Sequence, residues 1–389
     1  MALAFEIIFW LSLFALLYTY FGYPLLLMLC HPFTRRHASK PDDDFRPTVS
    51  IVLAAYNEVA YIRAKLENCL ALDYPKDKLQ ILVGSDGSDD GTNEIVEEFA
   101  DQGVQLHVYG PRQGKMATVN RLVTEATGEI CVFSDISELF DKDVILKLVR
   151  HFADPAIGAV TGNHIYHKEK SGMSAGTDFY WKFQRFLQSV ESRMHTICMC
   201  DGTIYAARRE LYPTPPDNTI NDDVAVPLGI IAQGRRVIFE SEAVARGEVL
   251  KETRRFFRQK VRSQAGCYQN FFRFPKMLSP WPLSRFWIYI SHSVMPVLVP
   301  WFMLTTLASN IGLMFVEPTL LSPIVYQVLM VLQGAFYVVA LLGLAGERLK
   351  IPVPGASIPF YFVTANVGSL FGFYAFMFGK QRAAWRKVD

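Results

Sequence analysis

The sequence predicts an α/β domain with a parallel sheet, inserted between one apolar helix at the N-terminus and several apolar helices at the C-terminus. Three observations carry this. The 389 residues are 51% hydrophobic and 20% charged, with mean hydropathy +0.17. That is too apolar for an ordinary soluble enzyme and too charged for a purely membrane-embedded chain, so the chain divides. Long apolar runs lie at the two ends, and short apolar runs alternate with helical patterns between them. The net charge of +2 gives no global field that would attract nucleic acid.

Taken in order, the first element is the apolar run 5–29, close to the ~20 residues that cross a bilayer. It has neither a basic start nor a small-residue cleavage site, which predicts an uncleaved anchor. His31, Arg35, Arg36, His37 and Lys40 follow at once and place that end in the cytoplasm. Three further apolar segments, 288–316, 322–345 and 357–379, bring the simple count of spans to four. Three crossings after a cytosolic domain would put Lys380, Arg382, Arg386 and Lys387 outside, against the positive-inside rule. The segment with Pro296 and Pro300 is therefore the candidate for a re-entrant or interfacial helix. Ahead of it, RRFFRQKVRSQAGCYQNFFRF (254–274) alternates basic and aromatic residues, as in a helix lying in the headgroup plane. The domains expected are an anchor (1–30), an α/β domain (41–250), interface helices (251–285), membrane segments (286–379) and a basic tail (380–389).

Within the α/β domain, 49–54 is a short apolar run without alternation, as in a buried parallel strand. Residues 58–71 follow with Ile62, Leu66, Cys69 and Leu70 on one helical face. Strand-like runs recur at 80–83, 104–109 and 130–133, with a helix over 115–127 that stops at Gly128. Polar clusters follow the strands: AAYNE (54–58), GSDGSDDGT (84–92), GPRQGKMATVN (110–120) and SDISE (134–138). Four strand ends opening on one crevice make one site. Asp86, between glycines, can accept hydrogen bonds from a base or ribose, or serve as a turn residue. Lys115 follows Gly114 and opens a helix, where a cation and a helix N-terminus together suit a diphosphate, although the glycine spacing is not a P-loop. Asp222 and Asp223 precede an apolar helical stretch, then a strand over 236–240. They either complement the helix dipole or supply a general base. Six cysteines are scattered without a CxxC pair, which reads as reduced thiols.

This motif set, in this order, resembles the family 2 glycosyltransferases with the GT-A (Rossmann-like) fold over about residues 47–275. The whole layout is similar to membrane-embedded hyaluronan, chitin and poly-N-acetylglucosamine synthases. The resemblance implies that Tyr56, Asn57 and Glu58 lie near the uracil and ribose of a nucleotide sugar, with Asp86 at the base and Lys115 at the diphosphate. It implies a metal, Mg²⁺ or Mn²⁺, at Asp135, a catalytic base at Asp223 with Asp222 beside it, and CDGTIYAARREL (200–211) bordering the acceptor. Gln259 and Arg262 fall where processive members carry QxxRW. Two departures matter. The metal motif DxD is Asp135-Ile136-Ser137 here, so the metal would rest on one carboxylate and the substrate's diphosphate, with Ser137 or Glu138 as possible helpers. The Trp of QxxRW is Ser263, which puts long-chain synthesis in doubt.

The expected protein is thus an inverting, UDP-sugar-using enzyme of the inner or plasma membrane, its catalytic domain facing the cytoplasm. Its acceptor would be a growing polysaccharide, or alternatively a lipid-linked acceptor taking one sugar. A homo-oligomer or export partner would accompany a polymer. A non-catalytic nucleotide-sugar-binding subunit is the remote alternative.

Overall fold

The computed structural model describes residues 1–30, 41–167, 174–248, 253–349, 351 and 353–379. The basic cluster at 31–40 and the basic tail at 380–389 lie outside these. The chain opens with α1 (Ala2–Leu17), a π-helical turn (Tyr18–Gly22) and α2 (Tyr23–Cys30), together one apolar rod.

Among the described residues, eight strands form one sheet: β1 (Val49–Ala55), β2 (Leu79–Asp86), β3 (Val104–Tyr109), β4 (Ile130–Ser134), β5 (Leu139–Phe140), β6 (Ile157–His167), β7 (Tyr205–Arg208) and β8 (Arg236–Glu248). Their spatial order is β3-β2-β1-β4-β7-β6-β8-β5. The first four pair in parallel, as the βαβα pattern requires. The second half departs from that expectation. β7 runs antiparallel to both β4 and β6, and β5 antiparallel to β8. β7 lies within the motif 200–211, directly after an isolated bridge between Asp201 and Ile204 that turns the chain back. β8 also extends beyond 236–240, pairing with β6 past an irregularity at Thr161/Asn163. In that extension Ala243 and Ala245 are buried and Glu242 is outward, the period of two of a strand.

Both faces of the parallel half are covered. On one, Ile51, Leu53, Val83 and Val132 meet α3 (Ile62–Leu70), α4 (Thr92–Glu97) and α6 (Val144–Val149). On the other, Val52, Leu82, Cys131 and Phe133 meet α5 (Lys115–Glu125). Alternate residues of each strand therefore serve opposite cores, which is why these strands are apolar without alternation.

Two longer helices follow the sheet's outer strands: α7 (Ser174–Met194) before β7, and α9 (Thr253–Arg273) after β8. Between them α8 (Asp222–Ala232) leads into β8. The chain ends in α10 (Leu283–Ile288), a π turn (Tyr289–Val294), α11 (Met295–Leu313), α12 (Pro323–Leu349) and α13 (Ser357–Met377). Among the described residues four helices are long and apolar enough to cross a membrane: Ala2–Cys30, Leu283–Leu313, Pro323–Leu349 and Ser357–Met377.

The two π turns meet. Tyr18 Oη lies 2.6 Å from Ser291 Oγ, and Trp287 Nε1 donates to Tyr18 Oη at 2.8 Å. Beside them the fully buried Glu191 of α7 accepts from Tyr23 Oη at 2.5 Å and pairs with His292 Nδ1 at 2.7 Å. A polar knot therefore ties α7 to the first and second apolar rods. α9 packs along α13 through Gly368 and Gly372, four residues apart. A Cβ on Gly372 would stand 2.6 Å from Gln264 Cβ and 2.9 Å from the Val261 carbonyl. Glycine is what allows the two backbones so close.

Candidate active site

The C-terminal ends of β1, β2 and β4, the start of α5 and the start of α8 converge on one crevice. After β1 the chain turns at Asn57, whose φ is +53°. Asn57 Nδ2 donates to Asp89 Oδ1 at 2.8 Å and its Oδ1 accepts from the Asp89 N–H at 3.0 Å. The Glu58 N–H donates to Thr92 Oγ1 at 2.8 Å, and the Glu58 residue is buried. The loops after β1 and β2 are thus stapled together.

Asp86, at the end of β2, is buried and accepts from the backbone N–H groups of Gln113 and Gly114, both at 2.7 Å. It pins the loop that leads into α5. Arg112 on that loop stacks over the Tyr56 ring at 3.5 Å, and its Nε lies 3.9 Å from Asp86. Arg112 Nε and Nη2 are buried with no hydrogen-bond partner. Sequence reasoning missed this residue, although it sits two positions before the Gly-Lys pair that drew attention.

Lys115 is the centre of the site. Its Nζ donates to Asp135 Oδ1 at 2.9 Å and lies 3.2 Å from Asp222 Oδ2. Burial works against its charge, but Asp135 and Asp222 outweigh that and hold its pKa above the ordinary lysine value. One cation joins the end of β4 to the start of α8. Asp223 follows Asp222, and its carbonyl accepts from the Cys200 N–H at 2.8 Å. Its side chain stands against Gly202, where a Cβ would come 3.4 Å from Asp223 Cβ. Burial first, then the neighbouring Asp222 charge, pushes the Asp223 carboxyl up to about 7, against the pull of Lys115. A carboxylate near neutrality is suited to taking a proton at working pH.

α9 holds the start of α8. Asn221, the residue before α8, donates from Nδ2 to the Ser263 carbonyl at 2.8 Å, and its own carbonyl accepts from Asn270 Nδ2 at 3.3 Å. Gly266 leaves the room, since a Cβ there would meet Asn221 at 2.5 Å. Arg262 Nη2 is 3.4 Å from the Ile220 carbonyl, while its Nε is buried with no hydrogen-bond partner among the described residues. Gln259 is exposed one turn earlier. The segment 259–263 therefore lies against Ile220 and Asn221, just ahead of the two acids, and the Ser263 carbonyl holds Asn221.

The helpers considered for Asp135 point elsewhere. Glu138 turns its carboxylate to His164 Nε2 at 2.7 Å, and Ser137 Oγ donates to Glu138 Oε1 at 3.2 Å. His164 Nδ1 lies 4.0 Å from Asp201. Lys65, fully buried, donates to Ser134 Oγ at 2.7 Å and to the Glu138 carbonyl at 2.6 Å. This buried set props the loop carrying Asp135 from beneath. Lys65 was detectable, because 62, 65, 66 and 69 share one helical face and the other three are apolar.

Against known proteins, the fold resembles that of a solved glycosyltransferase. It is similar to the mannosyltransferase PcManGT of Pyrobaculum calidifontis, solved with GDP-Man and Mn²⁺, at TM-score 0.73 and 23% identity, over 95% of this chain and 100% of that one. The model of Glycosyl transferase family 2 matches residues 50–213, and that of Glycosyl transferase family group 2 matches residues 135–343, more than half the chain. The chain belongs to the family 2 glycosyltransferases. It is 26% identical over 231 residues to the probable glycosyltransferase YdaM of Bacillus subtilis, covering 57% of this chain and 55% of that one. It is 28% identical over 152 residues to the beta-monoglucosyldiacylglycerol synthase of Synechocystis, 36% of this chain and 32% of that one. It is 25% identical over 248 residues to the poly-beta-1,6-N-acetyl-D-glucosamine synthase of Staphylococcus aureus, 62% of this chain and 59% of that one. The chain spans about half the length, or less, of these curated relatives.

Proposed function

We propose that this enzyme is a membrane-bound inverting glycosyltransferase that moves a sugar from a nucleoside-diphosphate sugar, UDP-linked in our reading, to an acceptor hydroxyl. The observation that carries this is the Asp135–Lys115–Asp222 bridge with Asp223 beside it. It sets one cation and three carboxylates at the mouth of a sheet whose parallel half ends there.

In this reading Tyr56, Asn57, Glu58 and Asp86 form the nucleotide pocket, with Arg112 as an added cation, and Lys115 meets the diphosphate at the start of α5. Among the described residues no group of three His, Cys, Asp or Glu side chains could hold a metal alone. A hard divalent ion fits nonetheless, because Mg²⁺ and Mn²⁺ accept one or two carboxylates and complete their shell with phosphate oxygens and water. Asp135, partly exposed in the crevice, is the residue that would hold it. When bound, the ion would offset charge on the departing diphosphate. Asp223 accepts the proton as the acceptor oxygen attacks the anomeric carbon from the face opposite the nucleotide. Arg262, with its unpartnered Nε, and Gln259 serve the acceptor or diphosphate side.

The helices long and apolar enough to cross a membrane support an integral membrane protein; in our reading it sits in the inner or plasma membrane with the crevice on the cytoplasmic side, as the basic residues after the first apolar run suggest. The relatives named for a polymer and for a glycolipid motivate two acceptors, a growing polysaccharide and a membrane lipid. The test is nucleoside diphosphate release by purified protein with UDP-GlcNAc, UDP-Glc, UDP-GlcA and UDP-Gal, each with Mg²⁺, Mn²⁺ or chelator, and sizing of the product. Metal-dependent release with one donor supports the reading. Asp223→Asn should lower transfer by at least ~100-fold while nucleotide binding persists; loss of binding in that variant would remove Asp223 from the role of base.

A further inference from the structure

A cavity of about 880 Å³ lies among the apolar helices, toward the upper end of the ~300–1,000 Å³ range of ligand sites. Its walls come from α1, α9, α11, α12 and α13, and it reaches Val224 and Leu228 of α8 and Met199. Val224 is the residue after Asp223, and Met199 precedes Cys200, whose N–H binds the Asp223 carbonyl. The cavity thus ends against the backbone that carries the base.

Its surface is mostly hydrocarbon and aromatic, with Lys260, Asn270 and Gln333 among the polar side chains on it, and several of the other polar groups are spent on one another. His292 is held by Glu191 and Gln184, and Trp301 Nε1 donates to Tyr268 Oη, which itself donates to the Val297 carbonyl. Ser369 donates to Gln264 Oε1, and Thr306 to Ser12 Oγ. A sugar chain placed here would find Asn270 Oδ1 and Gln333 Oε1 open to it but would leave most of its hydroxyls without partners. A hydrocarbon chain loses nothing on entry.

Some of its lining residues reach the outer surface of the helices. Phe21 is 70% exposed and Leu332 is 60% exposed, and both line the cavity. They belong to helices apolar enough to cross a membrane, so the outer surface they share is where lipid tails stand.

We infer that this cavity holds the hydrocarbon chain of the acceptor, so that the acceptor is a membrane lipid whose hydroxyl-bearing head lies at Asp223. The inference rests on the transferase reading of the crevice. The head's oxygen bonds to the anomeric carbon as the bond from that carbon to the diphosphate oxygen breaks. The hydroxyl proton passes to Asp223, and the nucleoside diphosphate leaves with the bonding electrons. A diacylglycerol and a polyprenyl-diphosphate-linked sugar both offer a hydroxyl on a long chain.

The experiment uses the full-length protein in phosphatidylcholine nanodiscs, with each of these two acceptors in long-chain and chain-truncated form. Sugar transfer and hydrolytic release of nucleoside diphosphate are measured separately. For one of the two heads, the long-chain acceptor should show kcat/KM at least ten-fold above its truncated form. Ala365→Trp, on the cavity wall, should lower transfer to that lipid ten-fold and leave hydrolysis unchanged. As a check independent of folding, a long-chain acceptor with a diazirine on its tail should crosslink the unaltered protein within 289–303 or 357–373. Equal rates with truncated acceptors, crosslinks confined to the outer helix faces, or a product that grows into a polymer would overturn the inference while hydrolysis kept the transferase reading standing. No nucleoside diphosphate release with any donor would overturn both.

Discussion

At the scale of single residues, Lys115 decides the shape of the crevice. Without its charge, Asp135 and Asp222 would share one cleft uncompensated, and two carboxylates repel. Lys115→Met should reduce transfer by ~100-fold or more, in line with other losses of a positioned charge, and donor binding measured by calorimetry should weaken as well. Unchanged donor affinity would mean that Lys115 braces the acids without meeting the diphosphate. Arg112 and Tyr56 form a stacked pair at 3.5 Å. Arg112→Ala should raise KM for the donor more than it lowers kcat, a split that steady-state kinetics reads directly. Away from the crevice, Glu240 is buried against Arg150 and His151. Burial raises its pKa, but the hydrogen bonds from His151, the Glu242 N–H and Arg150 win, and the carboxyl sits at about 2 in the folded protein against 4.5 unperturbed. A carboxylate depressed on folding lends stability above its unfolded pKa, and that stability is lost as pH falls from about 4.5 toward 2. Glu240→Gln should therefore flatten the loss of stability over that window, as followed by chemical denaturation at a series of pH values.

At the scale of elements, α9 joins the two halves of the protein. One face holds Asn221 and Ile220 at the start of α8, and the other packs on α13 at Gly368 and Gly372. Gly372→Val would drive a branched side chain into the Val261 carbonyl. It should lower the melting temperature in detergent and reduce transfer more than it reduces donor binding, since α9 holds the start of α8 rather than the loops after β1 and β2. The parts of the fold legible in the sequence are those with local causes. The parallel strands showed as apolar runs because both their faces are covered, and α9 showed as basic and aromatic alternation. β7 did not show, because four residues of mixed character flanked by a turn carry no periodic signal. The hold of α9 on Asn221 did not show either, since it joins residues about forty positions apart. Its one sequence trace is Gly266, a helix-interior glycine that costs ~1 kcal/mol in propensity and is present because Asn221 needs the space. The buried His164–Glu138 pair was likewise hidden: Glu138 ends the SDISE cluster, but nothing around His164 in β6 marks it as the partner.

At the scale of the whole molecule, buried polar groups fasten the apolar rods to one another. Glu6, in the first helix, accepts from the Thr319 and Leu320 N–H groups at 3.0 and 2.8 Å and from Tyr326 Oη at 2.9 Å. It thereby caps the connection between α11 and α12. A lone carboxylate in an apolar run carries no sign in the sequence of which partner it will find 313 positions away. Glu6→Ala would leave those donors unsatisfied, and the full-length protein should lose thermal stability in detergent with little change in donor KM.

The hold of α9 on the start of α8 has a consequence for how this enzyme can be handled. A fragment cut after β8 would keep every strand described in the sheet and the loops proposed to hold the nucleotide. It would forfeit the Ser263 carbonyl and the Asn270 amide that fix Asn221, and with them the aim of Asp223. On the proposed mechanism catalysis would therefore not be portable: the sheet half carries the acids, but a helix packed on the apolar rods holds the residue ahead of them. On that mechanism α9 is also the route by which a displacement of α13 would reach the start of α8.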